Sequence, residues 1–294
     1  MSALVVNEEL LSQIELLQML VKNNVAGLFG GNHQSKNFGS SCEFADYRDY
    51  IPGDDITKID WNAFARFEQL YLKLYLDERQ LHTRIYIDAS TSMTYGKGKK
   101  DKQAVRLAAA LAYLSVSEMD KVSVYVIHGD RVEAVIENMF GKESYLNKIG
   151  KLNEIVFEGE CEISKALLPS TVGYGDGMSI LISDFLTDHD FESAIDHLTS
   201  KKRDVLCIQV LSKEELNPTA RGKMHFFDSE DMQRYYRKNI NREIVQAYYE
   251  ALEFVTKRVA NHVRSRGGQY MLVSSEDSLT GVFFEKLISL GVLK

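Results

Sequence analysis

Short, nearly continuous apolar runs alternate along this chain with longer stretches whose apolar residues recur at helical spacing. That alternation predicts a sheet of buried, mostly parallel strands joined by helices. The runs are Ile85–Asp88, Val122–Ile127, Met178–Ile182, Val205–Leu211 and Tyr270–Ser274, with Val132–Ile136 as a short edge strand. Helices are predicted over Asp101–Met119, Tyr145–Ile155, Ile163–Leu168, Phe191–Ser200, Glu243–Arg266 and Leu279–Leu293. The fold class is therefore α/β, a doubly wound sheet covered on both faces, with an N-terminal extension. In that extension Leu10, Ile14, Leu17 and Val21 form one stripe of an amphipathic helix over Asn7–Lys22, expected to pack on the protein's own body.

Polar and turn-forming residues set the boundaries. Gly27–Ser41, rich in Gly, Asn and Ser, reads as a linker, Ile51-Pro52-Gly53-Asp54-Asp55 has turn chemistry, and Leu70–Leu76 alternates like a strand. Asn217–Asn241 breaks the strand–helix rhythm and predicts an inserted hairpin or loop. The expected organisation is a helix and loop over 1–40, an arm with strand structure packed on the main domain over 41–80, and an α/β domain over 81–294 with an insertion near 217–241.

Composition narrows the function. With 45% hydrophobic and 26% charged residues in 294, the chain has enough apolar surface for a sizeable core. A net charge of −7 and no concentrated basic face argue against nucleic-acid binding, and Lys97–Lys102 (KGKKDK) reads as a solvated turn. Cys42, Cys161 and Cys207 are odd in number and have no metal-like spacing, so a disulfide framework is not expected and a reducing cytoplasm fits. The first residues contain Glu8, Glu9 and Glu15 and no basic leader, so no secretory signal is expected. No apolar run reaches the ~18 residues of a membrane span.

The chemistry concentrates in Arg84–Met93, RIYIDASTSM, an apolar strand running into Asp88-x-Ser90-x-Ser92. One carboxylate and two hydroxyls then stand at the carboxyl end of a buried strand, where open α/β sheets bind ligands. Such hard oxygen donors suit Mg²⁺ or Mn²⁺ and leave positions for water or a partner's carboxylate. A second buried strand leads into Asp184, which would accept hydrogen bonds from ion-bound water or from the serine hydroxyls. The competing reading is that these residues only cap the next helix. Catalytic signatures are missing. Cys42 to Arg48 has the Cys-x5-Arg spacing of a phosphatase loop, but Glu43 and Asp46 would repel an anion, and there is no P-loop or nucleophile elbow. His189 reads as an exposed loop residue beside an N-cap at Asp188 or Asp190, so no catalytic residue is assigned and the protein is expected not to be an enzyme.

Asp88-Ala-Ser90-Thr-Ser92 with Asp184 resembles the metal-ion-dependent adhesion site of von Willebrand factor A domains. Phe44–Arg66, FADYRDYIPGDDITKIDWNAFAR, resembles the signature of the bacterial "domain of unknown function 58" family, through Arg48, Tyr50, Pro52, Gly53, Asp54, Asp55, Ile59, Asp60, Trp61, Ala65 and Arg66, extended by Glu78-Arg79. The resemblance implies a von Willebrand factor A-like fold and a divalent ion on Ser90 and Ser92, with Asp88 and Asp184 holding its water. It also implies an interaction module partnered by a MoxR-type AAA+ ATPase in chaperone-like or complex-assembly work. The family's site adds a threonine hydroxyl, and the counterpart here is Cys161, a poor Mg²⁺ ligand, flanked by Glu160 and Glu162 as alternative oxygen donors or as a solvated loop. The rivals are a metal-dependent phosphoesterase or hydrolase using Asp88 and Asp184, and a scaffold with a vestigial metal site. The signature itself reads either as a clamp, with Arg48 and Arg66 pairing Asp54, Asp55 or Asp60 around Tyr47, Tyr50 and Trp61, or as a partner-contact surface.

Overall fold

The computed structural model describes residues 4–24, 44–75, 81–97, 99–170, 177–219, 222–227 and 235–287. The linker, Cys42, Glu78-Arg79 and the end of the last expected helix lie outside them. The chain divides into two compact units, one of Met1–Phe29 with Leu81–Lys294 and one of Gly30–Gln80.

The larger unit is built on a six-stranded sheet of β3 (His82–Asp88), β4 (Lys121–His128), β5 (Arg131–Met139), β6 (Met178–Ser183), β7 (Asp204–Leu211) and β10 (Gln269–Ser274), in the order β10-β7-β6-β3-β4-β5. All neighbours are parallel except the β4–β5 edge pair. Counting only the strands of this sheet, the order is the doubly wound 3-2-1-4-5-6, and the winding reverses between β3 and β6. The expected α/β class is the one found.

Strand alternation shares the core between two faces. Ile85, Ile87, Ile180, Ile182, Leu206 and Ile208 face the layer of α1 (Glu8–Asn24) and α3 (Lys100–Ser117). Tyr86, Leu181, Val205 and Cys207 face α5 (Ile163–Leu167), α6 (Glu192–Ser200) and α8 (Arg242–Ser265). Because both faces are covered, the strands carry continuous apolar runs rather than a polar–apolar alternation. In α3 every residue from Leu107 to Ala112 is buried, since α1 and α4 (Gly141–Lys148) pack on it. Leu10, Ile14 and Leu17 of α1 are core residues, and Asn153 holds the entry to α1 by exchanging hydrogen bonds of 2.8 and 3.0 Å with the Val6 backbone. Thus the N-terminal helix is part of the larger unit. The expected helix over Tyr145–Ile155 is found as α4 followed by a 3-10 stretch, Ile149–Glu154, where Asn153 is committed to Val6. The short helix α7 (Lys213–Leu216) follows β7, and within 217–241 strands β8 (Gly222–Phe227) and β9 (Tyr235–Ile240) form an antiparallel hairpin.

In the smaller unit, β1 (Phe44–Asp49) pairs antiparallel with β2 (Tyr71–Tyr75), with α2 (Trp61–Phe67) between them in sequence. After Leu279, α9 (Leu279–Gly281) of the larger unit passes into a π-helical turn, Val282–Leu287, that puts Val282 and Phe283 in the core.

Candidate functional site at the carboxyl ends of β3 and β6

Asp88 ends β3 and Asp184 follows β6, so the parallel pairing of these strands at the reversal point delivers both carboxylates to one end of the sheet. The 3-10 turn Thr91–Thr94 brings Ser90 and Ser92 over them. Ser92 Oγ donates to Asp184 Oδ2 at 2.8 Å, and since a hydroxyl has one proton, Ser90 donates to Ser92 across 3.0 Å. Asp184 Oδ1 accepts from the Leu186 N–H at 3.1 Å, and its carbonyl accepts from Gln209 Nε2 at 2.7 Å. Asp88 accepts from the Ser90 N–H at 2.9 Å and from Ser183 Oγ at 2.6 Å. Burial, then the Asp184 charge, push the Asp88 carboxyl above the usual carboxylate range, against the opposing hydrogen bonds of Ser183 and Ser90. Phe185, buried with φ 50°, makes the sharp turn after Asp184, a left-handed conformation that costs a non-glycine residue about 1 kcal/mol.

Lys100 was not legible as a site residue. It opens α3 with its side chain 1% exposed, and its Nζ donates to Asp184 Oδ2 at 2.7 Å and to Glu215 Oε1 at 2.7 Å. Burial works against its charge, but Asp184 and Glu215 outweigh it and raise the lysine pKa, so the ammonium stays protonated. The solvated-turn reading of Lys97–Lys102 fails at this residue, while Lys97 and Lys99 are exposed as expected. The one signal available was a lysine in a helix's first turn, where the helix dipole disfavours a cation unless carboxylates compensate. Glu215 is held in turn by a capping box: Ser212 N–H donates to Glu215 Oε2 at 2.6 Å, and Glu215 N–H donates to Ser212 Oγ at 3.2 Å.

The 158–162 loop runs beside the site, with Thr91 N–H donating to the Gly159 carbonyl at 2.9 Å and Glu158 N–H to the Ala89 carbonyl at 2.8 Å. Cys161 is buried in an apolar cluster with Ile127, Ile163 and Phe185. Glu162 pairs with Lys165, and His189 lies 3.8 Å from Glu160 and 3.7 Å from Glu162. Asp190 accepts from the Glu192 and Ser193 N–H groups at 2.9 and 3.2 Å and so caps α6.

These residues do not fit a divalent ion. The third oxygen donor is replaced by a thiol packed among apolar side chains, and the Asp184 carboxylate is already engaged by the Lys100 ammonium and by Ser92. Among the described residues no group of three or more His, Cys, Asp or Glu side chains is arranged to hold a metal.

The signature residues of the smaller unit form a local network. Arg48 donates to Asp54 Oδ1 at 2.8 Å, and Asp54 Oδ2 accepts from the Ile51 N–H at 2.9 Å. The Ile51 bond first, then Arg48, lower the Asp54 pKa. Tyr50 N–H donates to the Leu70 carbonyl, and Pro52-Gly53 form the turn, with Gly53 at φ 109°. Asp55 caps a 3-10 turn through Thr57. Asp60 caps α2 and also accepts from Tyr47 Oη at 2.9 Å. Trp61 and Phe67 stay 61% and 66% exposed, and Arg66, Phe67, Tyr47 and Tyr71 line a cavity of about 560 Å³.

Strand order and the polar cluster at the reversal point define the class: a doubly wound α/β protein with a strand-end site. The chain belongs to the family described as "Protein of unknown function DUF58", whose model matches residues 46–257, spanning the signature and most of the α/β body. It is similar to uncharacterized proteins of Mycobacterium tuberculosis and Mycobacterium bovis, each 23% identical over 227 residues that cover 76% of this chain and 71% of the relative. Among solved structures it is similar to the SpRpn10 VWA domain (TM-score 0.38, 8% identity, 71% of this chain and 94% of that one). It is also similar to proximal thread matrix protein 1 of the mussel byssus (TM-score 0.41, 12% identity, 73% of this chain and 46% of that one). No helix among the described residues is long and apolar enough to cross a membrane.

Proposed function

We propose that this protein is a non-enzymatic protein-interaction module that partners a MoxR-type AAA+ ATPase in chaperone-like or complex-assembly work. The observation that carries the non-enzymatic reading is the closed hydrogen-bond network at the strand ends. Ser90 bonds Ser92 and Ser92 bonds Asp184, Asp88 accepts from Ser183 Oγ and the Ser90 N–H, and the amine there, Lys100, is protonated and so is no general base. Exposed Trp61 and Phe67 beside the signature cavity support a contact surface, because large aromatic side chains left in water are costly unless a partner covers them. The kind of partner comes from the family resemblance.

Co-purification from a native lysate tests the proposal, comparing wild type with Trp61→Ala/Phe67→Ala. An AAA+ ATPase should be recovered with wild type and depleted with the double variant. Absence of any such ATPase from the wild-type eluate would overturn the partner assignment. Turnover of phosphoester substrates that disappears in Asp88→Ala would replace the reading with a metal-dependent hydrolase. Of the two rivals, the scaffold with a vestigial metal site is favoured by the Lys100 ion pairs.

A further inference from the structure

We propose that Lys100 is the permanent cation of the strand-end site, so that the site is ordered without a divalent metal. Three carboxylates converge there, Asp88, Asp184 and Glu215, and the Lys100 ammonium bridges two of them at 2.7 Å each. A lysine buried to this degree is stable only when its charge is matched, and Lys100 gives two of its three N–H donors to the two carboxylates that match it. The surroundings fix it in place. Glu215 is locked by its capping box with Ser212, and Tyr248 Oη donates to the Glu215 carbonyl at 2.8 Å. The Tyr95 ring lies 6.0 Å from the ammonium, and the chain passes so close at Gly96 that a Cβ there would stand 2.4 Å from Ser212 Cβ. Ser92 is thereby oriented by an Asp184 that a covalently attached cation already holds in place, which is the task a metal ion would otherwise perform. Where the interaction reading above holds, partner binding is then independent of Mg²⁺.

The test uses the full chain with Mn²⁺ alone as the probe, followed by water-proton relaxation, beside thermal unfolding in EDTA and in about 10 mM Mg²⁺. Wild type should show no Mn²⁺ site tighter than about 1 mM that Ser92→Ala removes, and its Tm should agree within about 1 °C between EDTA and Mg²⁺. Lys100→Met should either gain a Mn²⁺ site or become stabilised by Mg²⁺, because the buried Asp184 and the partly buried Glu215 lose their cation. A wild-type site with Kd below about 0.1 mM that Ser92→Ala abolishes would overturn the proposal, as would a Lys100→Met protein as stable as wild type with no new response to metal. If Lys100→Met fails to fold, the wild-type and Ser92→Ala titrations decide alone. These readouts involve no partner, so failure to recover an ATPase tells against the interaction reading and leaves this one standing.

Discussion

Replacing Asp184 by asparagine removes one negative charge from the strand-end cluster while keeping its shape. The carboxylate accepts from Lys100, Ser92 and the Leu186 N–H, and the Lys100–Asp184 pair is 1% and 4% exposed, so solvent does little to compensate the loss. Breaking a buried ion pair costs about 3–5 kcal/mol. Because Glu215 still pairs with the ammonium and the asparagine oxygen still accepts one hydrogen bond, the expected loss for Asp184→Asn is about 2–3 kcal/mol. Lys100→Met should cost a similar amount by leaving Asp184 without its cation. In the double variant neither charge needs the other, so the loss should fall short of the summed single losses by at least about 1 kcal/mol. Urea unfolding followed by far-UV circular dichroism is the suitable assay, because the helices lie mostly in the larger unit whereas the single tryptophan, Trp61, lies in the smaller one. Strict additivity, or an Asp184→Asn variant within about 0.5 kcal/mol of wild type, would refute the claim that the ammonium and carboxylate stabilise each other.

Leu17→Ala, at a fully buried position of α1, should lower stability by about 2–5 kcal/mol in the same urea assay, and an unchanged midpoint would show that α1 does not pack in the core. Gly96→Ala combines φ 89° with a Cβ 2.4 Å from Ser212 Cβ, so it should destabilise by about 1–3 kcal/mol, and a neutral result would mean the two segments do not touch. The His82 pKa is lowered from 6.5 to about 4 by burial, then by the charges of Arg84, Arg203 and Lys121. Between those values the unfolded chain binds more protons than the folded one. His82 therefore contributes stability that is complete above pH 6.5 and is lost as the pH falls toward 4. A Tm–pH profile that flattens over this interval in His82→Gln would show the contribution, and an identical profile would remove it.

Much of the fold was legible because it rests on local periodicity. Ile85, Ile87, Ile180, Ile182, Leu206 and Ile208 announce buried strands wherever they pair, and the alternation with helices selects a doubly wound sheet. The placement of Asp88, Ser90, Ser92 and Asp184 at the strand ends was legible for the same reason, since strand ends follow from strand positions. The 3-10 turn over Ile149–Glu154 was not, because Asn153 is drawn into a contact with Val6, 147 positions away. The exposure of Trp61 and Phe67 was likewise invisible, because a residue's solvent contact depends on which neighbours arrive.

The sequence by itself determined the α/β class, the strand-end placement of the hydroxyls and carboxylates, and the family to which the chain belongs, because each follows from residues close together along the chain. Only the tertiary structure decided which cation those carboxylates have. Lys100 meets Asp184 and Glu215 across separations of 84 and 115 positions, and a buried charge takes its role from the partners that folding brings within hydrogen-bond distance.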